Sequence, residues 1–365
     1  MKSSRKFFFL ISSFITVLYF SCTQNKHKTE AAKEIISSAA GFGLETLSEY
    51  NFFTGKMAAL IPADGIIPYD LNTPLFSDYA YKARFAKIPE GQKAVYNNTS
   101  VFDFPVGTVL IKNFFYPNDF RDESKGRKIM ETRLLLHEEK GWKALPYIWN
   151  DEQTEAVLEV AGGRKEISWV HDDGSAKSIA YSIPNVNQCK GCHARGTEMF
   201  PIGLSARQLN REFAFADGKS NQLLKWRDAG ILAELPEHIS DCPKAPDWED
   251  EGDGTVEQRA RAYLDINCAH CHNALGPANT SGLFLDIHET DPTRLGVFKS
   301  PVSAGRGSGN HLYDVVPGKP EESITVFRMK SLDPGVMMPE MGRKLVHEEG
   351  VKAVEEWIRQ LQVSN

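Results

Sequence analysis

Two pentapeptides in this chain share one pattern, "CKGCH" at residues 189–193 and "CAHCH" at 268–272. Each has two cysteines three positions apart and a histidine directly after the second. Thiolate sulfur and imidazole nitrogen bind metals, and thiols also form disulfides and thioethers. Four chemistries therefore compete: a zinc site, a redox dithiol, a disulfide framework and covalent attachment of haem. Placing the 6 cysteines and 10 histidines at random in 365 residues gives on the order of 0.003 such pentapeptides, so two are not an accident. Zinc ribbons set their pairs about 15–20 residues apart, whereas roughly 75 residues separate Cys192 from Cys268. A thioredoxin-like dithiol accounts for one pair only, and neither it nor a disulfide framework requires the trailing histidines.

Covalent haem uses every residue of the pattern. Each vinyl group takes a thioether from one cysteine, one helical turn brings both sulfurs to the ring, and the adjacent histidine lies under the iron as its proximal ligand. The reading assigns two haem c groups. Cys189, Cys192 and His193 hold the first, and Cys268, Cys271 and His272 hold the second. His270 is read as a spacer pointing away from the second iron.

Each iron also needs a sixth partner. "DPGVMMPEMG" (333–342) offers Met337, Met338 and Met341, and Met338, in a Met-Pro step 66 residues past His272, is the first choice for the second iron. His/Met ligation raises a haem's reduction potential relative to two histidines. Met199, six residues past His193, is the tentative sixth ligand of the first iron. Met130, His171, His238 and an open position stand as alternatives. Arg306 is a candidate partner for a haem propionate, since its fork matches a carboxylate, although a solvated loop arginine accounts for it too. Cys242 is read as a packed thiol. No residue is assigned a catalytic role, and electron carriage is favoured over catalysis.

Haem ligation of this kind takes place after export, and the N-terminus carries an export signal. "MKSSRK" is basic, and Phe7–Phe20 is an apolar run of 14 residues, short for a bilayer span. Ser21–Cys22 follows in the manner of a lipoprotein cleavage site, so Cys22 is expected to carry lipid. An ordinary signal peptide or an uncleaved anchor are the alternatives. Residues 1–21 are then the signal peptide, and 22–44 a lipidated N-terminus and polar tether. The protein is expected in the cell envelope, on the periplasmic side or the outer-membrane surface, anchored to the membrane through lipid and meeting redox proteins there. Net charge is −6. Losing Lys2, Arg5 and Lys6 leaves 39 basic against 48 acidic residues, a charge of −9. Such a chain lacks the basic surface that nucleic acid requires.

The remaining elements must hold the motifs in place. Residues 45–184 read as a β-rich antiparallel domain, because β-branched and aromatic runs alternate with the turn signals "EEKG", "AGG" and "DDG". Residues 185–250 form the first haem-binding segment and a linker, with short helices expected over 205–216 and 221–235. Residues 255–365 form the second haem domain. Its helix over 255–267 sets Val256, Ala260, Tyr263 and Leu264 on one stripe. Thr255 caps that helix without an acid at capping-box spacing. A last helix over 347–362 presents Val351, Val354, Trp357, Ile358 and Leu361. The fold class is α+β, an antiparallel β-rich half followed by a mainly helical c-type cytochrome region.

From "CAHCH" through "VVPGKPEESITVFRM" (315–329) and the Met-Pro step to "EEWI" (355–358), the chain resembles a class I cytochrome c domain. Over nearly its full mature length it is similar to a poorly characterised family of exported bacterial dihaem c-type cytochromes. The stretches that carry this likeness are "LNTPLFSDYA" (71–80), "FPVGTVLIK" (104–112), "ETRLL" (131–135) and "NVNQCKGCH" (185–193). The resemblance implies electron transfer and names no substrate. A haem enzyme of peroxidase-like or other small-ligand chemistry, at an open-coordinate first iron, is the alternative.

Overall fold

Runs of β-branched and aromatic residues, buried on both faces, build the centre of the molecule, a meander of six strands. The computed structural model describes residues 43–362. The strands are β1 (Ile66–Tyr69), β2 (Tyr81–Lys87), β3 (Val109–Pro117), β4 (Arg127–Glu138), β5 (Gly141–Trp149) and β6 (Ala156–Leu158). They lie side by side in chain order, every neighbouring pair antiparallel. Side chains two apart share a face, so the register writes rows across the sheet. One row is Ala86, Leu110, Leu135 and Ala144, and the next is Arg84, Lys112, Arg133 and Pro146. On the other face Thr132 links Asn113 (2.6 Å) to the Trp149 indole (2.9 Å).

A long hairpin, β7 (Gly163–Val170) and β8 (Ala176–Ile183), closes on one end of the sheet. Trp169, Ile179 and Tyr181 pack there against Phe114, Tyr116 and Met130. Eight strand residues, with Ala80 and Phe120 from loops, thus share a core that neither strand pair could bury alone.

Helices take over after Pro184. They are α1 (Val186–His193), α2 (Ala206–Leu209), α3 (Gln222–Asp228), α4 (Val256–Asn267), α5 (Ile324–Lys330) and α6 (Glu348–Gln360), with a hairpin of β9 (Glu212–Phe215) and β10 (Gly218–Asn221) among them. The order is a β-rich region followed by a more helical one, α+β as expected. Two expected helices are corrected. In 205–216 only Ala206–Leu209 is helical, and Phe213 and Phe215 lie in a strand. The Phe-Ala-Phe alternation runs into a two-residue turn at Ala216–Asp217, after which Gly218 starts the return strand at φ 130°, and this hairpin overrides helix propensity. In 221–235 the helix stops at Asp228, and Gly230 at φ 72° turns the chain. Leu232 and Ala233 then pair in parallel with Ala94 and Val95.

That pairing is part of a shared core. Leu204, Leu209, Leu223, Trp226 and Leu232 pack with Tyr69, Ala86, Phe102 and Leu110 from the sheet region. From Glu45 on, the chain forms one compact unit.

The last helices make a second core. Tyr263, Leu264, Val351, Val354, Trp357 and Ile358 bury one another, as the two apolar stripes require. A Cβ added at Gly350 would lie 2.3 Å from Cζ and Oη of Tyr263. Glycine is therefore what lets α6 approach α4. Thr255 does cap α4, and a capping box is present after all: the Gln258 amide side chain accepts from the Thr255 backbone N–H at 2.9 Å, because glutamine serves at that position as well as an acid.

Candidate functional site

The first Cys-x-x-Cys-His motif is a helix end. Asn185 and Gln188 form a reciprocal capping box on α1, Asn185 Oδ1 accepting from Gln188 N–H at 2.9 Å and Gln188 Oε1 from Asn185 N–H at 3.0 Å. The eight-residue helix this starts carries Cys189, Cys192 and His193 through to its last turn. The second motif extends α4 by one turn: the N–H groups of Cys268 and His272 donate to the carbonyls of Leu264 and Cys268, each at 2.9 Å.

One cavity of about 330 Å³ receives both motifs. Cys189, Cys192, His193, Cys268, His270 and His272 line it, with Met337, Met338 and Met341. Cys271 is partly buried and outside the lining. The two motifs, about 75 residues apart in sequence, are thus brought together between the sheet and the helical core.

Both histidines are held in the same manner. His193 Nδ1 lies 2.7 Å from the Phe200 carbonyl oxygen. A carbonyl only accepts, so Nδ1 carries the proton and Nε2 keeps its lone pair. His272 Nδ1 lies 3.3 Å from Ser281 Oγ, whose own proton goes to the Ala278 carbonyl at 2.7 Å. The serine oxygen is then the acceptor and His272 Nε2 is again the basic nitrogen. Tying one ring nitrogen to an outer partner is how proteins aim a metal-binding imidazole. Burial holds His193 down to about 4 and lowers His272 as well, so both rings are neutral at pH 7.

The thiols are neutral too. Burial pushes Cys189 and Cys271 up to about 11 and Cys268 up to about 12, and it raises Cys192. A redox dithiol needs the opposite, a thiolate stabilised by its surroundings. Among the described residues no three His, Cys, Asp or Glu side chains group closely enough to hold a metal ion, and Cys189, Cys192, Cys268 and Cys271 are all unbridged. The donor set fits a haem better than zinc: sulfurs at a cavity edge, one imidazole behind each pair, thioether sulfurs nearby and a largely apolar wall.

Met338 sits on a loop that Arg343 organises. The buried guanidinium donates through Nη2 to the carbonyls of Ser331 (2.8 Å), Met338 (3.0 Å) and Arg328 (3.2 Å), and through Nη1 to that of Leu345 (3.1 Å). The Met338 N–H returns a bond to Arg328 O at 3.0 Å. Asp78, in the loop before β2, accepts from the N–H groups of Lys344 (2.6 Å) and Leu345 (2.8 Å). Asp78 and Tyr79 both hold left-handed backbone, at φ 52° and 64°, a strain that persists only where the surroundings impose it. Arg343 and Asp78 are site-positioning residues that sequence reasoning missed. A loop arginine and a loop aspartate carry no spacing signal, although "SDYA" lies in one of the stretches that carry the family likeness.

The other candidates are dispersed. Met199 pairs with Ala194 in a two-rung hairpin directly after His193 and does not line the cavity. Met130 is fully buried in the aromatic core, His171 packs on Tyr79 and Phe120, and His238 is exposed. Arg306 is exposed and paired with Asp333 at 2.8 Å. Cys242 is buried in the sheet-side core. His270, expected to be a spacer, lines the cavity with Nδ1 buried and unpartnered. Cys22 and the N-terminal segment lie outside the described residues, and among those described no helix is long and apolar enough to cross a membrane. No family model, curated protein or solved structure matches this chain.

Proposed function

We propose that this chain is a dihaem c-type cytochrome of the cell envelope that passes single electrons between redox partners. One observation carries the reading: both Cys-x-x-Cys-His motifs reach the same largely apolar cavity, each with its histidine Nδ1 tied back to a nearby oxygen. Bound haem supplies reversible one-electron chemistry at its iron. The chain supplies the rest. Cys189 with Cys192, and Cys268 with Cys271, give the thioether sulfurs, and His193 and His272 give the proximal nitrogens. Met338, on the loop fixed by Arg343 and Asp78, is the second iron's thioether ligand, and the apolar walls keep water away from the irons.

For the first iron the sixth ligand decides between carrier and catalyst. Met199 lies off the cavity, and the enzyme alternative takes an open position at this iron.

The test is the haem content of protein matured in a host equipped for haem ligation. A pyridine haemochrome assay with intact mass is expected to give two covalent haems per chain, and a chain without added porphyrin mass overturns the proposal. Carbon monoxide binding to the reduced protein separates the two readings. Inert irons support the carrier, and ready binding at one iron supports the enzyme.

A further inference from the structure

Three cations stand in register across the middle of the sheet. Arg84 on β2 faces Lys112 on β3, and Lys112 faces Arg133 on β4. Like charges directly opposite one another destabilise a sheet, so this row needs anions. Two of the three have them. Arg84 pairs with Asp70, and Arg133 is held by Glu131 through Nε at 2.8 Å and Nη2 at 2.6 Å. Glu131 is already engaged a third time, by the Tyr181 hydroxyl at 2.6 Å.

Lys112 has no carboxylate. The ring of Phe114, 5.0 Å from its Nζ, is the partner it does have. Its place on the strand makes this costly. Leu110, two residues before, is in the sheet-side core, and Phe114, two residues after, is in the hairpin core. Lys112 is thus a half-buried amine between two apolar clusters, where burial and then the charges of Arg84, Lys82 and Arg133 push its pKa well below the usual lysine range, and it lines the cavity together with Arg133. Its charged form is disfavoured there until an anion joins it, and a carboxylate at hydrogen-bond distance would restore the charge. Arg306, the arginine that sequence suggested for a carboxylate, is spent on Asp333 at the surface.

We propose that Lys112 and Arg133 form a carboxylate-binding site on the sheet wall of the cavity, beside the first Cys-x-x-Cys-His motif. The inference rests on the haem reading for the nearest source, a propionate of the haem held by Cys189 and Cys192. A small free carboxylate entering the cavity is the other source of the same chemistry.

Lys112→Met in the haem-loaded protein is the test, with Lys112→Gln as a second variant in case the first folds poorly. Haem content is measured on the same samples. With a propionate in the site, removing the cation lowers the first haem's midpoint potential, since positive charge nearby favours the reduced iron, and it lowers the melting temperature. Added acetate changes neither quantity in the wild type. With a free carboxylate in the site, acetate raises the wild-type melting temperature more than chloride at equal ionic strength, and the variant loses that response. Unchanged potential and melting temperature in the variants, together with no acetate effect, overturn the proposal. A chain found without haem overturns the propionate source, and the acetate response still decides whether the site exists.

Discussion

His193 donates its Nδ1 proton to the carbonyl of Phe200 at 2.7 Å. The acceptor lies seven residues downstream, across the hairpin that pairs Ala194 with Met199, so the turn after the motif sets the ring's direction. Replacing His193 with alanine should leave both thioether cysteines and hence the haem count intact, while the first iron gains carbon monoxide binding. Cys189→Ala with Cys192→Ala should remove one haem of two, read by mass. A variant that kept both haems would detach the motif from its assigned role.

Arg343 gathers the carbonyls of Ser331, Met338, Arg328 and Leu345. Arg343→Met strands these acceptors, at about 1–3 kcal/mol for a buried group left unpaired. The loop should loosen and Met338 should leave the second iron, so that its potential falls and its spectrum loses the thioether signature. Redox titration checks this, and Met338→Ala should give the same spectrum without the same loss of melting temperature.

Gly350 lets α6 lie against Tyr263. Gly350→Ala places a methyl 2.3 Å from the ring, and overpacking of this kind costs about 1–3 kcal/mol. Thermal melting should fall accordingly. Gly350→Ala combined with Tyr263→Leu should recover part of the loss, because the clash is with that ring.

His347 stacks on Phe76 with centroids 4.0 Å apart and meets the Tyr263 hydroxyl at 3.0 Å. Burial, and then the charge of Lys82, hold its pKa down to about 3, so the ring is neutral although Glu349 lies 3.7 Å away. The unfolded chain takes up this proton near pH 6.5 and the folded chain only near 3. Stability should therefore be full above about pH 6.5 and fall on acidification at up to about 1.4 kcal/mol per pH unit. His347→Gln, which keeps an acceptor for Tyr263 but cannot become charged, should flatten that slope in melts taken across pH.

The sequence by itself determined what depends on near neighbours. Two cysteines and a histidine at fixed spacing define each motif whatever the fold, and the stripes of 255–267 and 347–362 state which helix faces are apolar. Turn residues between β-branched and aromatic runs marked the β-rich half, and beyond it, at Phe213 and Phe215, a strand stands where a helix was expected. Tertiary structure alone decided what depends on residues far apart in the chain. It joined residues 189–193 and 268–272 at one cavity, left Met199 outside it, and set Lys112 between Arg84 and Arg133. The reason is physical: a side chain's covalent spacing is written locally, but its charge balance and burial are set by strands and loops that only the folded register brings beside it.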